Sequence, residues 1–100
     1  MNSQDEFVSF LQKYPECYSI SKSGVMMRFL RTIAQEPKTI VELAQSASNV
    51  EELDVRLAVS ALESAKLVKK AFNIQKEVYS LGGKGEEFLE KYANAKNSLT

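Results

Sequence analysis

The side chains in this sequence that are best suited to chemistry are basic, and they concentrate between residues 56 and 84. This stretch holds six basic and two acidic residues, a net charge of +4, whereas the whole chain has 13 residues of each sign. Lysine and arginine neutralise phosphates, and each such contact makes nucleic-acid binding more salt-dependent. The basic residues are Arg56, Lys66, Lys69, Lys70, Lys76 and Lys84. We therefore expect a local anion-binding surface, although the neutral chain provides no long-range steering towards DNA.

Enzymatic and metal chemistry is poorly supported by the residue types present. Histidine is absent and Cys17 is the single cysteine, which excludes histidine-based catalysis, histidine metal sites and an intrachain disulfide. Cys17 is either an unreactive thiol or an oxidant sensor without a resolving partner. The run Gly82-Gly83-Lys84-Gly85 lacks the Ser or Thr that follows the lysine of a phosphate loop, so we interpret it as a strand-to-helix turn. We expect no enzyme activity, no metal and no cofactor.

The length and composition fit a single domain spanning residues 1–100, of which 44% are apolar. The first six residues are polar and acidic, unlike the basic start and apolar run of a signal peptide. No apolar run approaches the roughly 18 residues needed to cross a bilayer. A single cysteine also fits a reducing compartment. We therefore expect a cytoplasmic protein without a membrane partner.

The pattern of apolar residues predicts a mainly α fold with a small β-hairpin, in the order α-α-α-α-β-β-α. Pro15 is expected to end the first helix, and the polar segment 19–24 to connect it to the second. The strands are predicted at 67–72 and 78–81. Three helix starts are marked by the capping-box patterns Ser3–Glu6, Thr39–Glu42 and Asn49–Glu52.

Three segments resemble the winged helix-turn-helix regulators of the arsenical-resistance-repressor and MarR type. Residues 37–44, PKTIVELA, are similar to the start of the helix-turn-helix, and residues 62–68, LESAKLV, to the exit of its recognition helix, with Lys66 at the usual glycine position. Residues 79–89, YSLGGKGEEFL, are similar to the strand that leads into the last helix. The resemblance covers about residues 25–92. It implies a winged-helix domain with an added helix at each end: an N-terminal helix within 1–18, a trihelical core and wing over 25–82, and a C-terminal helix over 84–98.

The resemblance also implies duplex DNA as a partner, with the third helix of the trihelical core in the major groove. Arg56 is then the groove-facing contact, and Lys69, Lys70 and Lys76 are wing contacts to phosphate. The alternative for these lysines is a solvated hairpin that uses charge to prevent edge pairing. The start of the third helix is acidic, so we expect little direct reading of bases.

Two leucines of the third helix, Leu53 and Leu57, have two alternative interpretations. They either pack within the domain or form an exposed patch that binds a protein partner, because the apolar residues of this helix cannot share one narrow stripe. Exposure of both leucines would favour a docking function.

The two end helices have aromatic-rich apolar faces. In the resembled family, the first and last helices form a twofold dimer interface. The residues predicted there are Phe7, Phe10, Leu11, Tyr14, Phe88, Leu89 and Tyr92. The alternative is that these faces complete the core of the monomer.

These observations lead to one preferred function and one alternative. We expect a transcriptional regulator that binds duplex DNA as a homodimer with a basic wing. The alternative is a winged-helix interaction module in a larger assembly, without sequence-specific DNA reading.

Overall fold

The computed structural model describes residues 2–47 and 50–97, and within them it shows six helices and one two-stranded antiparallel sheet. The elements in chain order are α1 (Ser3–Lys13), α2 (Glu16–Lys22), α3 (Gly24–Gln35), α4 (Ile40–Ser46), α5 (Glu52–Ser64), β1 (Val68–Asn73), β2 (Lys76–Leu81) and α6 (Gly83–Asn97). This is the predicted fold class, a mainly helical winged helix with a β-hairpin. We call the β1–β2 hairpin the wing.

One helix, α2, was not predicted, because its segment reads as a polar connection. Pro15 ends α1 as expected, but it also precedes α2 with a helical φ of −59°, where its missing N–H costs nothing. Two serines of this segment form hydrogen bonds within the helices. The Ser21 hydroxyl donates to the Tyr18 carbonyl in α2, and the Ser23 hydroxyl caps α3 by accepting from the Met26 N–H at 3.1 Å. The predicted order therefore needs one more helix near the N-terminus.

The predicted capping boxes have different outcomes. At α4 both hydrogen bonds are present: the Thr39 hydroxyl accepts from the Glu42 N–H at 3.1 Å, and the Glu42 carboxylate accepts from the Thr39 N–H at 2.9 Å. At α1 the cap is Asn2 rather than the predicted Ser3. The N-cap of α5 is Glu51, and the predicted Asn49 lies outside the described residues.

The junction between α5 and β1 is a Schellman motif centred on Lys66. The Lys66 N–H donates to the Glu63 carbonyl at 2.9 Å, and the Leu67 N–H donates to the Leu62 carbonyl at 3.0 Å. Lys66 has a φ of 67°, in the left-handed region that favours glycine. The resemblance placed Lys66 at a glycine position, and the backbone conformation confirms that reading.

The wing is held to the helical body at its base only. Val68 pairs with Leu81 at the base, and Asn73 pairs with Lys76 beside the two-residue turn. A further backbone bridge joins Lys38, just before α4, to Tyr79 in β2. Both strands extend further towards the turn than predicted.

The core lies between α3, α5 and the helices that pack around them. Its largest fully buried side chains come from all parts of the chain: Phe29, Phe88, Leu30, Ile33, Leu43, Leu62, Leu67, Val55, Val59 and Cys17. Gly85 lets α6 approach the junction between α5 and the wing. A Cβ there would lie 2.2 Å from the Leu67 carbonyl oxygen, so no larger residue fits without moving the backbone.

Candidate nucleic-acid interface

The outer face of α5 is exposed and contains two large apolar side chains. Val55 and Val59 face the core at 0% and 1% exposure, which turns Leu53 and Leu57 outwards at 63% and 61%. Packing of these leucines within the domain, one of the two predicted alternatives, is therefore wrong. Arg56, the candidate for a groove contact, is also exposed on this helix.

Arg56 is engaged within its own helix. Its guanidinium donates to the Glu52 carboxylate at 2.8 Å, one helical turn earlier, and both side chains are more than half exposed. An exposed pair of this kind contributes only about 0.3–0.5 kcal/mol. A phosphate or a base edge can therefore displace Glu52 at small cost, but in the free protein Arg56 is paired.

The antiparallel register divides the three predicted wing lysines between two faces. Side chains alternate along a strand, so Lys69 and the cross-strand Lys76 share one face, while Lys70 lies on the other, opposite Tyr79. Lys70 donates to the Glu77 carboxylate at 2.8 Å, and this hydrogen bond raises the pKa of Lys70. Within the described part of the chain, neither Lys69 nor Lys76 forms an ion pair.

A cleft of about 440 Å³ separates the helix-turn-helix from the wing and brings two predicted site residues together. It is lined by Thr39, Ile40, Val41, Glu42, Arg56, Lys76 and Glu77. Arg56 comes from α5 and Lys76 from the wing, so both elements contribute a cation to one concave surface. The two glutamates balance these cations. The Thr39 backbone hydrogen bond lowers the pKa of Glu42, and the charges of Lys38 and Lys76 act in the same direction, so this carboxylate stays ionised.

One lysine of the basic stretch forms its contacts within the chain itself, which the sequence did not indicate. Lys84 donates to the Ala65 carbonyl at 2.7 Å and to the Glu16 carboxylate of α2, and its ammonium lies 4.1 Å from the centre of the Tyr14 ring. The hydrogen bond from Lys84 lowers the pKa of Glu16, whereas burial raises the pKa of the neighbouring Cys17 thiol. Lys84 therefore fastens α6 to α2 and to the end of α5.

The aromatic side chains of α1 and α6 pack against each other within the chain. Phe10 and Phe88 are buried, at 4% and 0% exposure, and their ring centroids lie 5.8 Å apart. Phe7 contacts both Phe88 and Tyr92, with centroid distances of 6.0 and 5.6 Å. Five of the seven residues predicted for a dimer interface keep part of their surface exposed: Phe7, Leu11, Tyr14, Leu89 and Tyr92.

Two further findings concern residues 2–47 and 50–97 alone. They contain no group of three or more side chains arranged to hold a metal ion. None of their helices combines the length and the apolar character needed to cross a membrane.

Comparison with known proteins supports the fold through structure rather than sequence. Neither the protein-family models nor the curated proteins give a match. Among solved structures, the chain is similar to an ArsR-like transcriptional regulator from Rhodococcus sp. RHA1, with a TM-score of 0.67 and 15% sequence identity. The match covers 88% of this chain and 79% of that one. At this identity the similarity establishes the winged-helix fold, which confirms the fold predicted from the three sequence segments.

Proposed function

We propose that this protein is a cytoplasmic transcriptional regulator that binds duplex DNA as a homodimer, holding the phosphate backbone with its wing and reading few bases. The observation that carries the proposal is that Arg56 from α5 and Lys76 from the wing line one cleft, where phosphate would have to displace the balancing charges of Glu42 and Glu77. Phosphates and base edges are the ligands that such a pair of cations fits. The solved structure with the same fold is a transcriptional regulator, which agrees with this assignment.

In this proposal α5 enters the major groove with a mixed apolar and acidic surface. Arg56 exchanges Glu52 for a guanine or a phosphate, and Leu53 and Leu57 contact thymine methyl groups. No other exposed side chain between residues 52 and 60 is basic. Affinity therefore depends mainly on phosphate contacts, and the contribution of direct base contacts is small.

The proposed dimer uses the surface of α1 and α6 that their mutual packing leaves accessible. Val8 is 51% exposed on α1, and Leu11, Leu89 and Tyr92 are partly exposed beside it on the two helices. A twofold axis through this surface would set the distance between the two α5 helices and thereby the spacing of DNA half-sites. Sedimentation equilibrium at tens of micromolar tests this part, and a monomer at that concentration would contradict it.

Fluorescence anisotropy of a labelled 30-base-pair duplex, titrated at several salt concentrations, tests DNA binding. We expect the double variant Lys69→Ala/Lys76→Ala to bind more weakly and to reduce the log–log salt slope by about 2, roughly one for each lost phosphate contact. The matched control is Lys22→Ala/Lys96→Ala, which removes the same charge from exposed helix positions and should keep the slope. Absence of binding by the unaltered protein at low salt would contradict the proposal.

A second function, docking of a protein partner through α5, is favoured by the exposure of Leu53 and Leu57. Acidic residues at the start of α5 surround this patch, so the partner that fits has an apolar stripe with basic flanks. If the protein fails to bind duplex DNA at low salt, docking becomes the preferred function. In that case Leu53→Ser/Leu57→Ser should abolish binding to the partner while leaving the fold intact.

A further inference from the structure

The end of the wing carries two large apolar side chains that the protomer leaves uncovered. Phe72 is 77% exposed and Ile74 is 89% exposed, higher values than those of the other large apolar residues in the described part of the chain. Every residue from 69 to 77 is exposed, so the wing projects from the body with both of its faces in solvent. We call residues 72–76 the wing tip.

The turn at the wing tip has an unusual residue for its conformation. Ile74 and Gln75 both have positive φ angles, 49° and 64°, as in the two-residue hairpin turns that favour Asn-Gly. A β-branched residue is disfavoured in this region of backbone space. Ile74 thus improves neither the turn nor the packing of the protomer, and its side chain is available for a contact outside it.

The charges around the wing tip indicate what kind of partner it meets. Lys76 adjoins the turn on one face together with Lys69, and Lys70 lies on the other face with Phe72 and its cross-strand partner Glu77. Three lysines and one glutamate leave this part of the hairpin with a net charge of +2. Lys76 also lines the cleft that contains Arg56 of α5. A single large ligand can therefore contact both the cleft and the wing tip. In the proposed function that ligand is duplex DNA.

The exposed side chains of the wing tip are of the apolar type that proteins insert into the minor groove of DNA. Proteins that bind this groove often insert phenylalanine, leucine or isoleucine between base steps, which partly unstacks the bases and kinks the duplex. Lys69 and Lys76 share one face of the hairpin and form no ion pair among the described residues, so they are free to meet phosphates at the edge of the groove.

We infer that Phe72 and Ile74 form an apolar wedge that enters the minor groove and partly unstacks a base step, while Lys69 and Lys76 hold the adjacent phosphates. This inference rests on the proposed DNA-binding function and specifies its mode. Pyrimidine–purine steps such as TA and CA are the easiest to unstack. The wedge therefore gives preference for flexible steps, which compensates for the few base contacts available from α5.

The test uses the full chain and a 30-base-pair duplex with 2-aminopurine beside a central TA step. We expect binding to raise the 2-aminopurine fluorescence, which reports unstacking, and to bend the duplex, as measured by energy transfer between its ends. The variant Phe72→Thr/Ile74→Asn removes the wedge but keeps residues that suit a strand and a left-handed turn position. It should lose both signals and bind about tenfold more weakly, with an unchanged salt slope because the lysines remain.

Controls separate the wedge from a general loss of apolar surface and from failure of the proposed function. Val25→Thr, which removes exposed apolar surface from α3, should keep both signals. If the unaltered protein binds duplex DNA without either signal, and the wedge variant binds equally well, the wedge is overturned and the proposed function stands. If no duplex is bound even at low salt, the proposed function fails and the wedge fails with it.

Two other outcomes would overturn the wedge by assigning the wing tip to a different partner. Binding to vesicles of phosphatidylcholine and phosphatidylserine that is lost in Phe72→Thr/Ile74→Asn, without a DNA signal, would assign it to a membrane surface. Self-association that is lost in the same variant, measured by sedimentation without DNA, would assign it to a second copy of the chain.

Discussion

The exposed face of α5 and the wing differ in how their charged side chains are partnered. On α5, Arg56 is paired with Glu52, and the large side chains beside it are leucines. On the wing, Lys70 is paired with Glu77, whereas Lys69 and Lys76 share the opposite face and form no ion pair among the described residues, although Lys76 lines the same cleft as Glu42. The comparison indicates that the number of basic residues in a segment does not by itself determine how many of them are available to bind phosphate. That number also depends on which of them are paired with acidic neighbours.

The same comparison holds for apolar side chains. The leucines of α5 lie on a regular helix beside its acidic start, whereas Phe72 and Ile74 lie on a projecting hairpin flanked by lysines. An acidic surround repels a polyanion, and a basic surround attracts it. The two apolar patches are thus suited to different partners, because the charge around the wing patch is net positive even though Phe72 lies opposite Glu77.

The largest effect we expect tests whether α5 really has one face in the core and one in solvent. Leu62→Ala should lower the free energy of unfolding by about 2–5 kcal/mol, because it opens a cavity where the side chain is fully buried. Leu57→Ala, the same substitution on the exposed face, should change it by less than about 0.5 kcal/mol. Urea denaturation followed by circular dichroism measures both values. A large loss in Leu57→Ala would mean that this face is covered in solution.

The next effect concerns the two faces of the wing. Lys69→Ala should reduce the log–log salt slope of DNA binding by about 0.9, because in the proposed function this lysine neutralises a phosphate. Lys70→Ala should reduce it less, since Glu77 already neutralises Lys70 before binding. Fluorescence anisotropy at several salt concentrations measures the slopes. The control is Lys70→Ala/Glu77→Ala, which removes the ion pair at constant net charge and should leave the salt slope unchanged. Equal reductions of the slope in Lys69→Ala and Lys70→Ala would show that both faces of the wing contact DNA.

Local patterns predicted the elements that depend on local physics. The capping box of Thr39 and Glu42 uses residues three apart, so it could be predicted from sequence. The glycine-like position of Lys66 was implied by the resemblance alone, and its φ of 67° agrees with that position. Helix α2 could not be predicted from sequence, because a proline such as Pro15 is compatible with both the end and the start of a helix. The serines that follow it are typical of a loop. The signal that was overlooked is the spacing of Cys17 and Ile20, which both face the core.

The ion pairs at and near the candidate site could not be predicted, because no local sequence pattern indicates them. Lys84 and Glu16 are 68 residues apart in the sequence, so no pattern near Lys84 indicated that it would form an ion pair within the chain. The pairing of Lys70 with Glu77 requires the strand register, which was predicted only approximately. Three of the six cations in the basic stretch are thus engaged in ion pairs, namely Arg56, Lys70 and Lys84.

The smallest effect tests whether the pairing of Arg56 limits DNA binding by α5. Glu52→Gln should raise DNA affinity by about two- to threefold, because it releases Arg56 from a weak exposed ion pair and removes a negative charge that faces phosphates in the proposed complex. The variant Arg56→Ala and the double variant complete a thermodynamic cycle, measured by anisotropy at one low salt concentration. The cycle isolates the coupling between the two residues from their separate effects.

The two causes of the expected gain in affinity, release of Arg56 and removal of a repulsive charge, give different results in this cycle. If the gain from Glu52→Gln disappears when Arg56 is absent, Glu52 acts by holding the arginine away from DNA, and α5 contributes a real groove contact once it is released. If the gain remains without Arg56, Glu52 acts only through repulsion of phosphate, and the arginine contributes nothing to binding. An unchanged affinity in both backgrounds would mean that α5 does not approach DNA. DNA binding would then belong to the wing alone, leaving the leucine face of α5 for a protein partner.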